Sequence, residues 1–472
     1  MANSSYSPVT QDVIEALKNI VGAGNVITND EKIESYSHDE TEAAVYGHNP
    51  DVVVTPLNTE QVAAVVKLAN EKHIPITPRG AGSGLSGGAI PEYGGIVLSI
   101  EKMNKFLELD RANMVAVAEA GVVTNDLATL VQNEGLFFAG YPMSLQTCMI
   151  GGNIAENAGG GKAVKYGVTG RYILGIELVT PLGDIVQLGG KLVKDVTGYD
   201  LKSLIIGSEG TLGIVTKAII KLIGYPTARA DILALFKTPK EAIDLVPVIL
   251  SKGIAPTSIE IMDQLSVITT CKYLNESLPY ENCGAMLLIE IDGTSAPQIE
   301  MDLVEAGKLC EANGATEVYV TEDKNNIERI WNVRRNIAEA FKVYSPIQSL
   351  EDIVVPISRI PEIIPELERM GEKYGIKIPC YGHAGDGNLH ATLVKDPDMS
   401  MEQWKKNEVE CLEELYKVTG DLGGKISGEH GIGLKRRKYL KDIIDPVELG
   451  LMRAVKRAWD PNNIMNPGKI FA

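Results

Sequence analysis

The chain lacks the features that would mark a disulfide-stapled, metal-cluster, membrane-spanning or nucleic-acid-binding protein. Its six cysteines (Cys148, Cys271, Cys283, Cys310, Cys380 and Cys411) are scattered singly with no Cys-x-x-Cys pair, which excludes a zinc ribbon, an iron–sulfur ligand set and a redox dithiol; buried thiols are expected. No stretch is apolar for long enough to cross a bilayer, so no integral membrane segment is expected. No block of lysine or arginine offsets the formal net charge of −17, so nucleic acid is not an expected partner. Met1 to Val13 has neither the basic segment nor the apolar run of a signal peptide, and a cytoplasmic location is the expectation. Low-complexity tracts and internal repeats are missing too.

What is present is a globular composition, 44% hydrophobic and 23% charged, over 472 residues, more than one core usually organises. Two domains are expected. The first half alternates short β-rich runs with helical patterns. Asp51 to Thr55 reads as a strand, followed by a helix over Thr59 to Lys72 with Val62, Val65, Val66 and Ala69 on one face and a cap from Asn58 or Thr59. Further strands are expected at Ile74 to Thr77, Ile96 to Ile100 and Met114 to Ala118, with a second helix over Asn125 to Asn133 that stops at Gly135. Ile176 to Thr180 and Ile185 to Leu188 flank Pro181 to Asp184 as a hairpin. Composition changes at Tyr225 and Pro226, beyond which a helix over Pro239 to Leu250 and a β run over Met286 to Ile291 appear. The expected division is 1–225, 226–425 and 426–472, the last part closing the fold through ordered turns.

Chemistry concentrates where glycine does. Pro78 to Gly88 (PRGAGSGLSGG) follows a predicted strand, and its small residues let backbone N–H groups converge on an anion such as a pyrophosphate. Gly82, Gly84 and Gly87 also match G-x-G-x-x-G, but that fingerprint must open a helix, and Gly88 and Pro91 follow at once. A nicotinamide site is therefore not indicated. Gly151 to Gly161, then Tyr166 and Gly167, and later Gly207 to Gly213 offer more bare backbone, with Asn153, Asn157, Ser208 and Thr211 as small polar groups able to read a cofactor's edges. One large bound nucleotide accounts for all three clusters.

There are six histidines, and half of them fall in glycine-flanked segments. Tyr381 to His390 holds His383 and His390 in what the glycines mark as a loop leading into a strand; Ser427 to Gly431 adds Glu429 beside His430. His383, His390 and Glu429 make a three-ligand pattern with open positions, suited to zinc, iron or manganese. Asp386 reads as a loop-fixing residue. Arg334 and Arg335 are placed at the start of a helix running to Phe341; successive helical residues point about 100° apart, so one of the two enters a cleft, where it suits a carboxylate.

The segments PRGAGSGLSGG, GGNIAENAGG, SEGTLGIVT, GHAGDGNLH, GEHGIG and DPNNIMNPGKI together resemble the D-lactate dehydrogenase and glycolate oxidase FAD-subunit family, of the vanillyl alcohol oxidase superfamily. The resemblance implies an α+β fold: an FAD-binding domain of two α/β subdomains and a cap domain on an antiparallel sheet, with the last residues returning to the FAD domain. It assigns Arg79, Gly80, Ala81, Gly82, Ser83, Gly84, Leu85, Ser86 and Gly87 to the pyrophosphate. Gly151, Gly152, Asn153, Asn157, Gly159, Gly160, Tyr166, Gly167, Ser208, Glu209, Gly210, Thr211, Gly213 and Ile214 fall to the rest of FAD. It further assigns His383, His390 and Glu429 to a divalent metal, His430 to the catalytic base and Arg334 to the substrate carboxylate.

Relatives acting on hydroxyglutarate carry a threonine and an asparagine where this chain has Ala338 and Thr392, which favours a shorter acid, D-lactate or glycolate. No histidine lies between His73 and His383, so non-covalent FAD is implied. The implied activity is dehydrogenation of a small D-2-hydroxy acid, with electrons passed to an electron-transferring flavoprotein or an iron–sulfur subunit. The competing classes are a metal-dependent hydrolase, which would be colourless, and a non-catalytic electron-relay flavoprotein, which leaves Arg334 without a task.

Overall fold

The computed structural model of the chain describes residues 6–471. Its strands, in chain order, are β1 (Val26–Ile27), β2 (Val52–Val54), β3 (Ile76–Arg79), β4 (Ile96–Ser99), β5 (Phe106–Asp110), β6 (Val115–Glu119), β7 (Leu136–Phe137), β8 (Ile173–Val179) and β9 (Ile185–Gly189). They continue with β10 (Ile214–Lys221), β11 (Ile223–Gly224), β12 (Ala228–Phe236), β13 (Ser258–Asp263), β14 (Ala285–Gly293), β15 (Glu317–Thr321), β16 (Gln348–Val354), β17 (Cys380–His383) and β18 (Asn388–Val394). The chain divides into two units, one of Met1–Gly159, Val168–Gly224 and Glu429–Ala472, the other of Gly160–Gly167 and Tyr225–Gly428.

In the first unit, β2, β4 and β3 run parallel, with β1 antiparallel at the far side, in the order β1-β2-β4-β3. The helix Thr59–Lys72 forms the crossover between β2 and β3, and its N-terminus is fixed by Asn58, whose side chain accepts from the Gln61 amide at 2.9 Å. Val62, Val65, Val66 and Ala69 are fully buried, as their spacing requires. Pro78 stands in the edge strand β3, where its missing N–H leaves no gap inside the sheet. The outer edge of β3 is taken by the C-terminal turns: Ile76 donates to the Ile464 carbonyl and Asn466 donates to the Ile76 carbonyl, both at 2.7 Å.

A second sheet of the same unit, ordered β5-β6-β10-β8-β9, is antiparallel throughout. The hairpin β8–β9 pairs Val179 with Ile185 and Ile176 with Leu188. β5 has no counterpart among the expected strands; its side chains are half-exposed or exposed, so the burial pattern that marks a strand is weak there.

The second unit is built on a seven-stranded antiparallel sheet, ordered β15-β12-β14-β13-β17-β18-β16. Side chains alternate across it. One face carries Ile259, Ile261, Leu287 and Ile289, all buried, and is covered by the helices Pro239–Ser251 and Ala296–Ala312. The first of these helices opens on a capping box in which Thr238 and Glu241 satisfy each other's backbone amides. The opposite face is mixed: Ser258, Glu260 and Glu290 stand on it with Met262, Met286 and Leu288.

Candidate active site

Register explains how the polar residues of that face assemble. Glu260 of β13 pairs with His383 of β17, Tyr381 pairs with His390 of β18, and His390 pairs with Asp352 of β16, so these side chains all stand on one side of the sheet. His383 and His390 are therefore held on the two strands of a hairpin, not in a loop, and their ring centroids lie 5.5 Å apart. Asp352 and His390 bring ligand atoms within 4.8 Å of one another.

Glu260 organises the face. It is fully buried, and its Oε1 accepts from Ser258 Oγ at 2.8 Å and lies 2.7 Å from His383 Nδ1. Its Oε2 accepts from Arg334 Nε at 2.8 Å and lies 2.7 Å from Nη2. Burial pushes this carboxyl up, but the charges of His383 and Arg334 outweigh burial and bring it down to about 2. With Nδ1 turned to a carboxylate, the His383 ring would offer Nε2 to a metal, the arrangement found behind metal-bound histidines. Asp352 and His390 would offer a carboxylate oxygen and an imidazole nitrogen, donors of the kind a borderline divalent cation takes, and His383 is not part of that close group.

Arg334 lies in the last turn of the helix Lys324–Arg335, and a separate helix, Ile337–Tyr344, follows. The expectation of one helix beginning near Trp331 is thus corrected. The break falls at Asn336, with φ −97° and ψ 9°, and neither glycine nor proline marks it. Arg334 is 3% exposed, whereas Arg335 is on the surface beside Glu328. The guanidinium carbon of Arg334 lies 5.2 Å from the Tyr381 ring centre, and Nη1 is not engaged by Glu260.

The segment Gly160–Gly167 belongs with this face. Lys162 Nζ lies 2.9 Å from Glu290, Lys165 Nζ 2.6 Å from Asp292, and Tyr166 donates to Asp292 at 2.7 Å. A Cβ at Gly161 would stand 2.7 Å from Glu260 Oε1, so the close approach needs bare backbone. The cluster Gly151–Gly161 is divided between the two units, with Gly160, Tyr166 and Gly167 falling in the second.

In the first unit the turn-rich loop after β3 forms no helix. Arg79 is buried, and its guanidinium donates to the His38 carbonyl at 2.7 Å and the Ser35 carbonyl at 3.1 Å. Its side chain thus braces the loop from behind. Gly82 has φ +73°, and a Cβ there would collide with Arg79. Gly87 donates its N–H to Asp39 at 2.8 Å, and Glu40 donates to the Gly84 carbonyl at 3.0 Å. Gly80, Ala81, Gly82, Ser83, Gly84 and Leu85 remain half-buried, whereas Ser86 and Gly87 are buried, and Ser86 Oγ has no hydrogen-bond partner. A Cβ at Gly151 would meet Ile100 at 2.7 Å, while one at Gly152, which lies beside Gly80, would meet nothing within 4 Å. Gly151 is a packing glycine, and Gly152 faces open space. The bare loop, the orphaned Ser86 hydroxyl and this space fit a dinucleotide cofactor.

The polar side chains of the other clusters are turned to their own chain. Asn153 donates to Thr124 at 2.8 Å, Asn157 accepts from the Gly170 amide at 2.9 Å, Thr211 donates to the Ser208 carbonyl at 2.8 Å, and Glu209 accepts two backbone amides. Gly210 packs on Pro78, with a built Cβ 3.4 Å away, and Gly213 leads into Ile214 at the start of β10. A Cβ at Gly159 would stand 3.4 Å from Glu429 Oε2, and His430 Nε2 lies 3.9 Å from Glu429 Oε1. Both Glu429 and His430 belong to the first unit. Sequence reasoning missed Glu260, Asp352 and Asp39. An acid between two isoleucines of an alternating strand was the available signal for Glu260; Asp352 and Asp39 had none.

The mixture of helices with largely antiparallel sheets is that of the vanillyl-alcohol-oxidase type of fold. Solved structures agree on that fold: p-cresol methylhydroxylase superposes with TM-score 0.80 at 20% identity, covering 98% of each chain. An alkyldihydroxyacetonephosphate synthase gives TM-score 0.75 at 20% identity, covering 98% of this chain and 86% of that one. The family described as FAD linked oxidases, C-terminal domain, matches residues 225–470, and an FAD binding domain matches 50–189. The chain is 38% identical to the glycolate oxidase subunit GlcD of Bacillus subtilis, over 98% of this chain and 97% of that protein. It is 38% identical to a D-lactate dehydrogenase of Anaerostipes hadrus, over 100% and 99%, and 38% identical to one of Archaeoglobus fulgidus, over 93% and 95%. The chain belongs to the FAD-linked oxidase family, in its D-lactate dehydrogenase and glycolate oxidase group. It is an FAD-dependent oxidoreductase, and a metal-dependent hydrolase is set aside.

Proposed function

We propose that the protein oxidises a small D-2-hydroxy acid, D-lactate or glycolate, to the 2-oxo acid. The observation that carries this reading is Arg334: a buried guanidinium, oriented by Glu260, on the sheet face that also holds His383 and His390. A planar fork suits a carboxylate, and Nη1 is the edge that Glu260 does not take. Thr392, on the same face, is fully buried with its hydroxyl 3.4 Å from that of Tyr381, and Ala338 adds no polar group; neither offers a second carboxylate a ready partner, which favours a short acid.

Non-covalently bound FAD supplies the two-electron acceptor. A divalent cation, zinc, iron or manganese, held by His383, His390 and Glu429 with Asp352 beside His390, would supply charge against the substrate's hydroxyl oxygen. Arg334 holds and orients the carboxylate. His430, neutral at the start, takes the hydroxyl proton. Among the described residues no helix is long and apolar enough to cross a membrane, and no cysteine pair suits a cluster; the proposed acceptor is therefore a separate protein, an electron-transferring flavoprotein first and an iron–sulfur subunit second.

The test is anaerobic mixing of the purified holoenzyme with D-lactate, glycolate, L-lactate and D-2-hydroxyglutarate. Bleaching of the flavin by D-lactate or glycolate, dye reduction without NADH formation, and weak response to the other two are expected. A flavin that stays oxidised with both short acids would refute the reading.

A further inference from the structure

Two glycines in the left-handed region lie just beyond His430. Gly431 and Gly433 follow at φ +86° and +51°, and a turn with two glycines in the left-handed region has little stiffness of its own. What holds it is a carboxylate remote in sequence. Glu209, 6% exposed, accepts the Ile432 amide on Oε1 at 2.8 Å and the Gly433 amide on Oε2 at 2.6 Å. Fully buried Arg436 donates from Nη1 to the Gly431 carbonyl at 3.1 Å, and the Leu434 and Lys435 amides donate to the Ser86 carbonyl at 2.9 and 3.1 Å.

Glu209 itself adopts φ +52°, a conformation that residues with a Cβ rarely take and that persists only where the surroundings insist on it. Asn466 supplies part of that insistence by donating to the Glu209 carbonyl at 2.8 Å. Two buried, charge-assisted bonds to adjacent amides fix a peptide plane far better than a glycine turn can alone.

We propose that Glu209 is a positioning residue for His430, acting through the Gly431–Gly433 turn, and is not a contact to the cofactor. The inference rests on the reading of His430 as the base. Gln at this position keeps the shape but can accept only one of the two amides, because its Nε2 would face the other N–H. A base displaced by a fraction of an ångström slows the step it serves while leaving substrate affinity largely alone, and a 1 Å error costs on the order of 100-fold.

The experiment uses FAD-loaded enzyme and D-lactate. Glu209→Gln should retain FAD at one per chain with an unchanged absorption spectrum, and amides of the 427–436 segment should exchange with deuterium about 10-fold faster. Flavin reduction at saturating D-lactate should slow by about 10- to 100-fold, with half-saturation moved less than about threefold. Glu209→Asp, which keeps the charge one methylene short, should fall between, and it serves as the readout if the Gln variant does not fold. Loss of FAD with unaltered exchange would overturn the inference, since that is the signature of a cofactor contact. His430→Asn is run in parallel. A slow His430→Asn beside a Glu209→Gln of normal rate would overturn the positioning role alone; a normal His430→Asn beside a slow Glu209→Gln would overturn the base reading alone.

Discussion

Replacing Arg334 by Met removes the cation that faces Glu260 without emptying the space, and the size of the effect follows from burial. Glu260 is fully enclosed, and Arg334 contributes two contacts of 2.8 and 2.7 Å to one carboxylate oxygen. Breaking a buried pair by deleting one partner costs about 3–5 kcal/mol, because the remaining charge stays desolvated, and that is roughly a 150- to 5,000-fold change in the folded-to-unfolded ratio. The cost should depend on pH. In the intact protein Glu260 titrates at about 2, below its ordinary value of 4.5, so its stabilising contribution is complete above about pH 5 and is lost as pH falls toward 2. Without Arg334 the burial effect gains ground, the carboxyl moves upward and takes a proton more readily, and the gap between wild type and variant should narrow on acidification. The assay is urea unfolding followed by tryptophan fluorescence, since Trp331 is buried in the helix that ends at Arg335, its indole N–H bonded to Asp231 at 2.6 Å. Arg334→Met with Glu260→Gln removes both charges, and the double variant should be more stable than Arg334→Met alone by about 2 kcal/mol. A loss under about 1 kcal/mol for the single variant, with the double equal to the sum of singles, would refute the idea that Glu260 holds this arginine. Catalysis should fail in both.

Acid or denaturant should release FAD intact, because the loop after β3 offers no covalent anchor of its own; yellow colour retained by the denatured chain would refute this. Exhaustive chelation should slow flavin reduction far more than it weakens flavin binding, and His390→Ala should behave alike; metal-free enzyme that reduces its flavin at the normal rate would remove the metal from the reaction. Hydrogen bonds from Lys373 and Tyr374, with help from Arg369, bring the Glu414 carboxyl to about 2. That group therefore adds stability above about pH 4.5, which fades as pH falls toward 2, and exposure of its partners limits the gain to about 1 kcal/mol. Glu414→Gln should lower the unfolding midpoint at pH 7 and leave it unchanged near pH 2; an equal effect at both would be contrary.

Much of the local structure was legible. The helix Thr59–Lys72, the hairpin β8–β9 and the strands β2, β4 and β6 follow from periodicity and turn residues, since their burial is one-sided or complete over several residues. β5 was not legible because its sides are half-exposed. The end of a helix at Arg335 was hidden because Asn336 breaks it through backbone geometry alone.

The sequence by itself determined the family and the FAD, because those rest on ordered short motifs whose residue types are dictated locally, above all glycines where the backbone must be bare. The tertiary structure alone decided what each polar side chain faces. Glu260 meets His383 across 123 positions of chain, Arg79 turns back to Ser35 and His38, and Glu209 reaches Ile432 and Gly433 across more than 220. Local pattern carries no record of such partners. Strand register selects the partners of Glu260, and the burial of uncompensated N–H groups compels those of Glu209; both arise only when the sheets close and water leaves.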